Sequence, residues 1–177
     1  FENTQTGISL RNLRYAALST IGQNTPQNNV IRLATCSFTA TTAFRQANPS
    51  VTGVVLNNVR QQGTTTNLRL QLGSSQSFNQ TANGTSNLFN NLFSGVASSL
   101  SDDLRLQNNW FISCDIGVAH WGDFQFPNNP TTSRIELGVG SNQSNWFSSV
   151  RLPVFTSNAT QVLAQANRIE WSPVLSG

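Results

Sequence analysis

The chain has 177 residues, of which 10% are charged and 37% hydrophobic, with a formal net charge of +3. That hydrophobic share supports a packed core and excludes an intrinsically disordered chain, and the length is that of one domain, residues 1–177. The positive charge is spread thinly, with Arg11 and Arg14 the closest basic pair, which excludes the dense basic footprint of a nucleic-acid binder.

All ten basic residues are arginine, and methionine is absent. Asn, Gln, Ser and Thr take the place of the missing ionic residues, so the surface is neutral and hydrogen-bonding. Such a composition fits an extracellular or cell-surface β-protein better than a cytosolic enzyme. No membrane-spanning run is present. Phe1 in place of an initiator Met reads as the start of a mature form, so any membrane contact would run through a segment outside this chain.

Residues 7–21 carry Leu10, Leu13, Ala17 and Ile21 at helical spacing, and good helix formers fill the gaps. An N-terminal helix is expected within residues 1–22, stopped by Gly22. Val30 to Phe38 reads as a strand holding Cys36, and a Thr-rich stretch then closes at Asn48-Pro49. Val51 to Arg60 and Asn67 to Leu72 follow as strands. From Leu88 the pattern changes: Leu88, Leu92, Val96, Leu100 and Leu104 recur every four residues, one face of an amphipathic helix with Gly95 as a weak point.

Asn108 to Phe126 is the strongest strand signal. Trp110, Ile112, Cys114, Ile116 and Val118 alternate with Phe111, Ser113, Asp115, Gly117 and Ala119, and a period of two assigns the first set to the apolar face. Ile135, Leu137 and Val139 alternate likewise, and Trp146 to Phe155 and Val162 to Trp171 complete the strands. Residues 172–177 read as a tail. No internal repeat is evident. The fold expected is β-rich with one or two short helices, an antiparallel sheet or β-sandwich.

Chemistry has few tools here. His120 is the sole histidine, no Gly-x-Ser-x-Gly elbow occurs, and His120 with Asp123 makes no metal set. Neither a phosphate-cradling loop nor a calcium-loop spacing is found, so no enzyme, metal or cofactor is expected. Cys36 and Cys114 are expected to pair in a disulfide, the usual state of two cysteines in a secreted chain. Sugars are gripped by aromatic faces beside amides and hydroxyls. Two patches fit: Trp121 with Asp123 and Gln125, and Asn142 and Asn145 with Trp146.

These features point to a non-enzymatic surface protein, a subunit or tip adhesin of a pilus- or fimbria-like appendage, whose partners would be further copies or other surface subunits. A helix-first, sheet-after arrangement would be pilin-like. Two further readings stand beside it: a lectin-like module with a glycan ligand, and a viral capsid or spike domain of jelly-roll type. Nucleic acid is not expected as a partner.

Overall fold

A pattern hidden by the apolar alternation organises the chain. Asn87-Leu88-Phe89, Asn109-Trp110-Phe111 and Asn145-Trp146-Phe147 are each followed, at the same distance, by Gly95-Val96, Gly117-Val118 and Pro153-Val154. In the computed structural model these segments lie one above another. The structure describes residues 1–12, 14–15, 19–21, 30–33, 36–61, 69–73, 86–101, 104–122, 134–138, 144–159 and 161–170.

The elements run β1 (Thr6–Arg11), β2 (Arg14–Tyr15), β3 (Ser19–Ile21), β4 (Val30–Leu33), β5 (Ser37–Thr39), α1 (Thr42–Ala47), β6 (Thr52–Asn57), β7 (Arg60–Gln61) and β8 (Arg69–Gly73). Then come β9 (Leu88–Asn90), β10 (Ser94–Ser99), β11 (Leu104–Gln107), β12 (Trp110–Ile112) and β13 (Ile116–Trp121). The last are β14 (Arg134–Leu137), β15 (Trp146–Ser148), β16 (Leu152–Ser157), β17 (Gln161–Ala164) and β18 (Arg168–Glu170). Three long sheets result: β1-β6-β10-β13-β16, then β17-β14-β11-β8-β4-β3, then β18-β15-β12-β9-β5, with β2 and β7 forming a small fourth.

Among the described residues every strand pair is parallel. After β3 and β4, which are consecutive strands of the second sheet, the chain visits the third, first and second sheets in turn, each return lying one strand further along. This is a parallel β-solenoid. The expected antiparallel sheet or β-sandwich is therefore wrong. Alternation tells which face a residue takes but carries no information on strand direction.

Direction is set at the corners. After the first sheet the chain turns at Asn12, Asn58, Leu100 and Asn158, and after the third at Asn91, Ser113 and Ser149, all with positive φ. The backbone N–H of Asn58 donates to Ser99 O, that of Leu100 to Trp121 O, that of Asn91 to Ile112 O and that of Ser113 to Ser148 O. Each bent residue thus hydrogen-bonds the corner of the next rung instead of folding back. Asn tolerates this left-handed backbone and Leu does not. Leu100→Asn is expected to raise stability by about 1 kcal/mol, read as a higher urea midpoint; an unchanged or lower midpoint would show that Leu100 packing outweighs its backbone strain.

The same corners explain the two misread helices. The described residues among 7–21 lie on or beside strands β1, β2 and β3 and hold no helix where the N-terminal one is expected. Leu88, Val96 and Leu104 lie on strands of the third, first and second sheets, and Leu92 and Leu100 lie at the corners between. Four-residue spacing here counts sides and corners of one rung, not turns of a helix. The one helix among the described residues, α1, falls in the Thr-rich stretch, where the Thr41 hydroxyl accepts from Phe44 N and caps its start.

A corner also divides the Asn108–Phe126 stretch into β12 and β13. Phe111 is the inward residue of β12, while Trp110 and Ile112 are half-buried on the outside. Past the corner, Val118 and His120 are buried and Trp121 is exposed. The phase of the alternation shifts across Ser113–Asp115, so a single face running from Trp110 to Val118 does not exist. Register partners lie 22 residues apart in the tightest rung, Ser94 to Ile116, but 36 apart from Ile116 to Leu152 and 42 from Thr52 to Ser94. Insertions of unequal length hide the repeat from a fixed-period reading.

Two continuous columns fill the interior. Phe1, Phe38, Phe89, Phe111 and Phe147 stack with centroids 4.8–5.0 Å apart and planes within 7°, the spacing of neighbouring strands. Glycines make room for them. A Cβ on Gly53, Gly95 or Gly117 would lie 2.6–2.7 Å from the ring of Phe89, Phe111 or Phe147. The second column is amide. Asn87 Nδ2 donates to Asn109 Oδ1, Asn109 Nδ2 to Asn145 Oδ1 and Asn145 Nδ2 to Asn167 Oδ1, each at 2.9 Å. Leu72, Leu104, Leu106, Ile135 and Leu137 close the second-sheet side.

Arg45 of α1 staples three rungs. Its guanidinium donates to Asn91 Oδ1 (3.2 Å) and Ser113 O (3.0 Å) and pairs with Asp115 at 2.6 Å. Arg45→Ala should lower stability by about 1 kcal/mol, since the pair is only partly screened from solvent. The same loss should vanish in an Asp115→Ala background if the ion pair carries it, which a double-mutant cycle by urea unfolding reads.

Among the described residues no further strand pairs with the outer edges of β16, β17 and β18. Ile169 stands where the earlier rungs have buried Phe, and it is 60% exposed. Leu152 and Val162 of the same rung are exposed as well.

Candidate functional site

No disulfide joins Cys36 to Cys114. Cys36 lies in register with Asn87 and Asn109, before the third-sheet strand of the first rung, and Cys114 lies past the far end of that sheet two rungs on. Two strand spacings are about 9.6 Å before the offset along the strand is added, and a disulfide needs Cα atoms within about 7 Å. Cys114 Sγ instead points at the carbonyls of Phe89 and Ile112, 3.5 Å from each. Burial pushes its thiol up to about 11, against the opposing pull of the Leu92 backbone and the Arg45 guanidinium. Burial also raises the Cys36 thiol, partly countered by the N-terminal ammonium.

Folded protein near pH 8 is therefore expected to leave Cys114 unmodified by iodoacetamide, whereas both cysteines react in denaturant, as counted by mass spectrometry. The linkage follows in sign. A thiol that holds its proton more tightly when folded destabilises the fold as pH rises from its ordinary 9.0 to about 11.

His120 is fully buried in the interior row of the first sheet, with Nδ1 3.2 Å from Ser98 Oγ. A solvent-borne substrate does not reach it there. No group of three or more His, Cys, Asp or Glu that could hold a metal occurs among the described residues. Glu136, nearly buried, sits between Arg105 (2.7 Å) and Arg134 (3.3 Å) on the second sheet, so the buried carboxylate is paired on both sides. No helix among the described residues is long and apolar enough to cross a membrane.

The six residues marked as sugar-binding candidates separate. Asp123, Gln125 and Asn142 lie outside the described residues. Asn145 belongs to the interior amide column: its Nδ2 donates to Leu106 O and Asn167 Oδ1, and its Oδ1 accepts from Asn109, so its polar atoms face the core. Trp146 is on the outer face of the third sheet, edge-on to Trp110 at 4.8 Å, with the Arg168 guanidinium 5.4 Å over its ring. Arg168 is itself paired with Glu170. That ring is already occupied by a neighbour on its edge and a cation on its face.

Trp121 differs. It ends β13 on the outer face of the first sheet and is 40% exposed. Phe155 of the next strand is its neighbour, with centroids 5.6 Å apart and planes inclined by 55°. The register places Asn57, Ser99, Trp121 and Ser157 in one row across the strands, and Val55, Ala97, Ala119 and Phe155 in the row beside it. Asn57 Nδ2 donates to Ser99 Oγ at 2.8 Å.

Reading by sequence proximity pairs Trp121 with Asp123 and Gln125, and so misses Phe155, Asn57 and Ser99. The signal that would have found them is the repeated Gly-Val or Pro-Val at the head of each first-sheet strand, which aligns the four segments. Comparison with models of protein families, with curated proteins and with solved structures gave no match for this chain.

Proposed function

We propose that this protein is a non-enzymatic component of an extracellular or cell-surface structure, in which the solenoid serves as a rigid scaffold and its outer sheet faces do the binding. One observation carries the reading. The phenylalanine column runs unbroken from Phe1 to Phe147 and the asparagine column from Asn87 to Asn167, so successive rungs are held to their neighbours by stacking, by side-chain hydrogen bonds or by both. Such a column makes a stiff, quasi-one-dimensional body. The neutral surface, with 10% charged residues, agrees with an exterior setting.

The helix-first pilin arrangement and the jelly-roll both fall with the antiparallel fold. The appendage reading survives in another form, as a stalk or adhesin built from rungs. Further copies or other surface subunits would meet it most readily along strands β16, β17 and β18, where the apolar side chains of Leu152, Val162 and Ile169 are exposed.

Antibodies raised against the folded chain should label intact source cells, and protease shaving of those cells should release its peptides. Labelling confined to the cytosol of permeabilised cells would overturn the proposal.

A further inference from the structure

The outer face of the first sheet combines two features: a pair of solvent-facing aromatic rings, and a polar row that holds no charged residue from Asn57 to Ser157. Trp121 is 40% and Phe155 38% exposed, and the rings lean together as two walls of a shallow corner. Beside Phe155 the row continues as Ala119, which is buried, and then as the half-buried Ala97 and Val55, whose small side chains keep the surface low. Beside Trp121 it continues as Ser99 and Asn57, an amide and a hydroxyl already oriented by their mutual hydrogen bond. Ser157 closes the other side.

Charge narrows the ligand. Between Val55 or Asn57 and Phe155 or Ser157, neither row holds an acid or a base. Arg11 enters the polar row only beyond Asn57, three strands from Trp121. An anionic ligand such as a nucleic acid or a phospholipid headgroup would find no counter-ion among the described residues of these rows. Size narrows it further. A stable protein partner needs about 800 Å² on each side, far more than two half-exposed rings supply. A ligand with apolar patches for the rings and hydroxyls for the amide and serines meets both limits.

We infer that this face binds a neutral glycan chain, laid across the strands with one sugar against Trp121 and Phe155 and the next units over Ser99 and Ala97 towards Asn57. This goes beyond the scaffold role and does not depend on it.

Maltohexaose, cellohexaose and N-acetylchitohexaose titrated into the full chain, followed by calorimetry and tryptophan fluorescence, should give at least one Kd between about 10 μM and 1 mM. Trp121→Ala should weaken that binding tenfold or more, Phe155→Ala by about threefold to tenfold, and Trp121→Phe should restore part of the loss. Trp146→Phe, at the packed ring of the third sheet, should bind as the parent does. Unchanged circular dichroism of each variant keeps the comparison on binding. Affinity should be the same in low and high salt. No binding to any of the three probes, binding indifferent to Trp121→Ala, or a steep salt dependence would each overturn the inference, the last in favour of an anionic ligand. None of these results touches the cell-surface labelling that tests the scaffold role.

Discussion

Phe111→Ala is expected to lower the free energy of unfolding by about 3–5 kcal/mol, measured by urea denaturation with tryptophan fluorescence. Phe111 is fully buried in the middle of the aromatic column, 4.8 Å from Phe89 on one side and 4.8 Å from Phe147 on the other. Truncation removes the apolar area of one ring and both stacking contacts. The rungs above and below are pinned by backbone pairing, so the space cannot close. Against a typical total of about 5–15 kcal/mol, a loss of this size brings the fold near its limit.

Phe111→Leu keeps most of the volume and should lose about half as much. Gly95→Val probes the same place from the other side. A new Cβ there would lie 2.6 Å from the Phe111 ring and 2.8 Å from Gly117 O, backbone that cannot give way. It should destabilise by about 2–3 kcal/mol. The control is Phe1→Ala, at the exposed end of the column, with a loss of about 1 kcal/mol or less. A loss below about 1 kcal/mol for Phe111→Ala would mean that the column is a packing coincidence and not the spine of the fold.

Asn109→Ala is the second large effect, expected at about 3–5 kcal/mol. The Asn109 amide donates to Leu72 O and Asn145 Oδ1 at 2.9 Å and accepts from Asn87 Nδ2 at 2.9 Å. All of these groups are away from water, and methyl offers none of them a partner. The penalty is the desolvation of what stays behind, not the worth of one bond.

Asn109→Asp separates shape from hydrogen bonding. It keeps the volume but sets a carboxylate against carbonyl oxygens. Its neutral form is the better tolerated one, so its folded-state pKa is raised. The stability of this variant should fall as pH rises above about 4, a dependence the parent lacks at this position. Equal stability of Asn109→Asp and the parent at neutral pH would contradict the amide column.

The aromatic site was half legible in the sequence. Trp121 stands out as an aromatic after an apolar run and before polar residues. Phe155 does not, because it lies 34 positions away and inside what reads as one continuous strand from Trp146 to Phe155. Asn145 and Trp146 look like a sugar patch for the same reason that Trp121 does, a ring beside an amide. One of them turns inward to join a column and the other packs against Trp110.

The residues themselves determined that the chain is β-structured, where most strands fall, and that the surface is neutral, because period-two alternation and composition are local properties. What local pattern could not carry was direction, closure and partnership. Whether a strand runs parallel or antiparallel to its neighbour depends on how the chain turns at Asn58, Leu100, Asn91 and Ser113, and on stacking between residues 22 to 51 positions apart. Only the three-dimensional fold resolves these, since each column is built from side chains that meet solely because the solenoid has closed. The same closure breaks the expected Cys36–Cys114 bond and brings Phe155 beside Trp121.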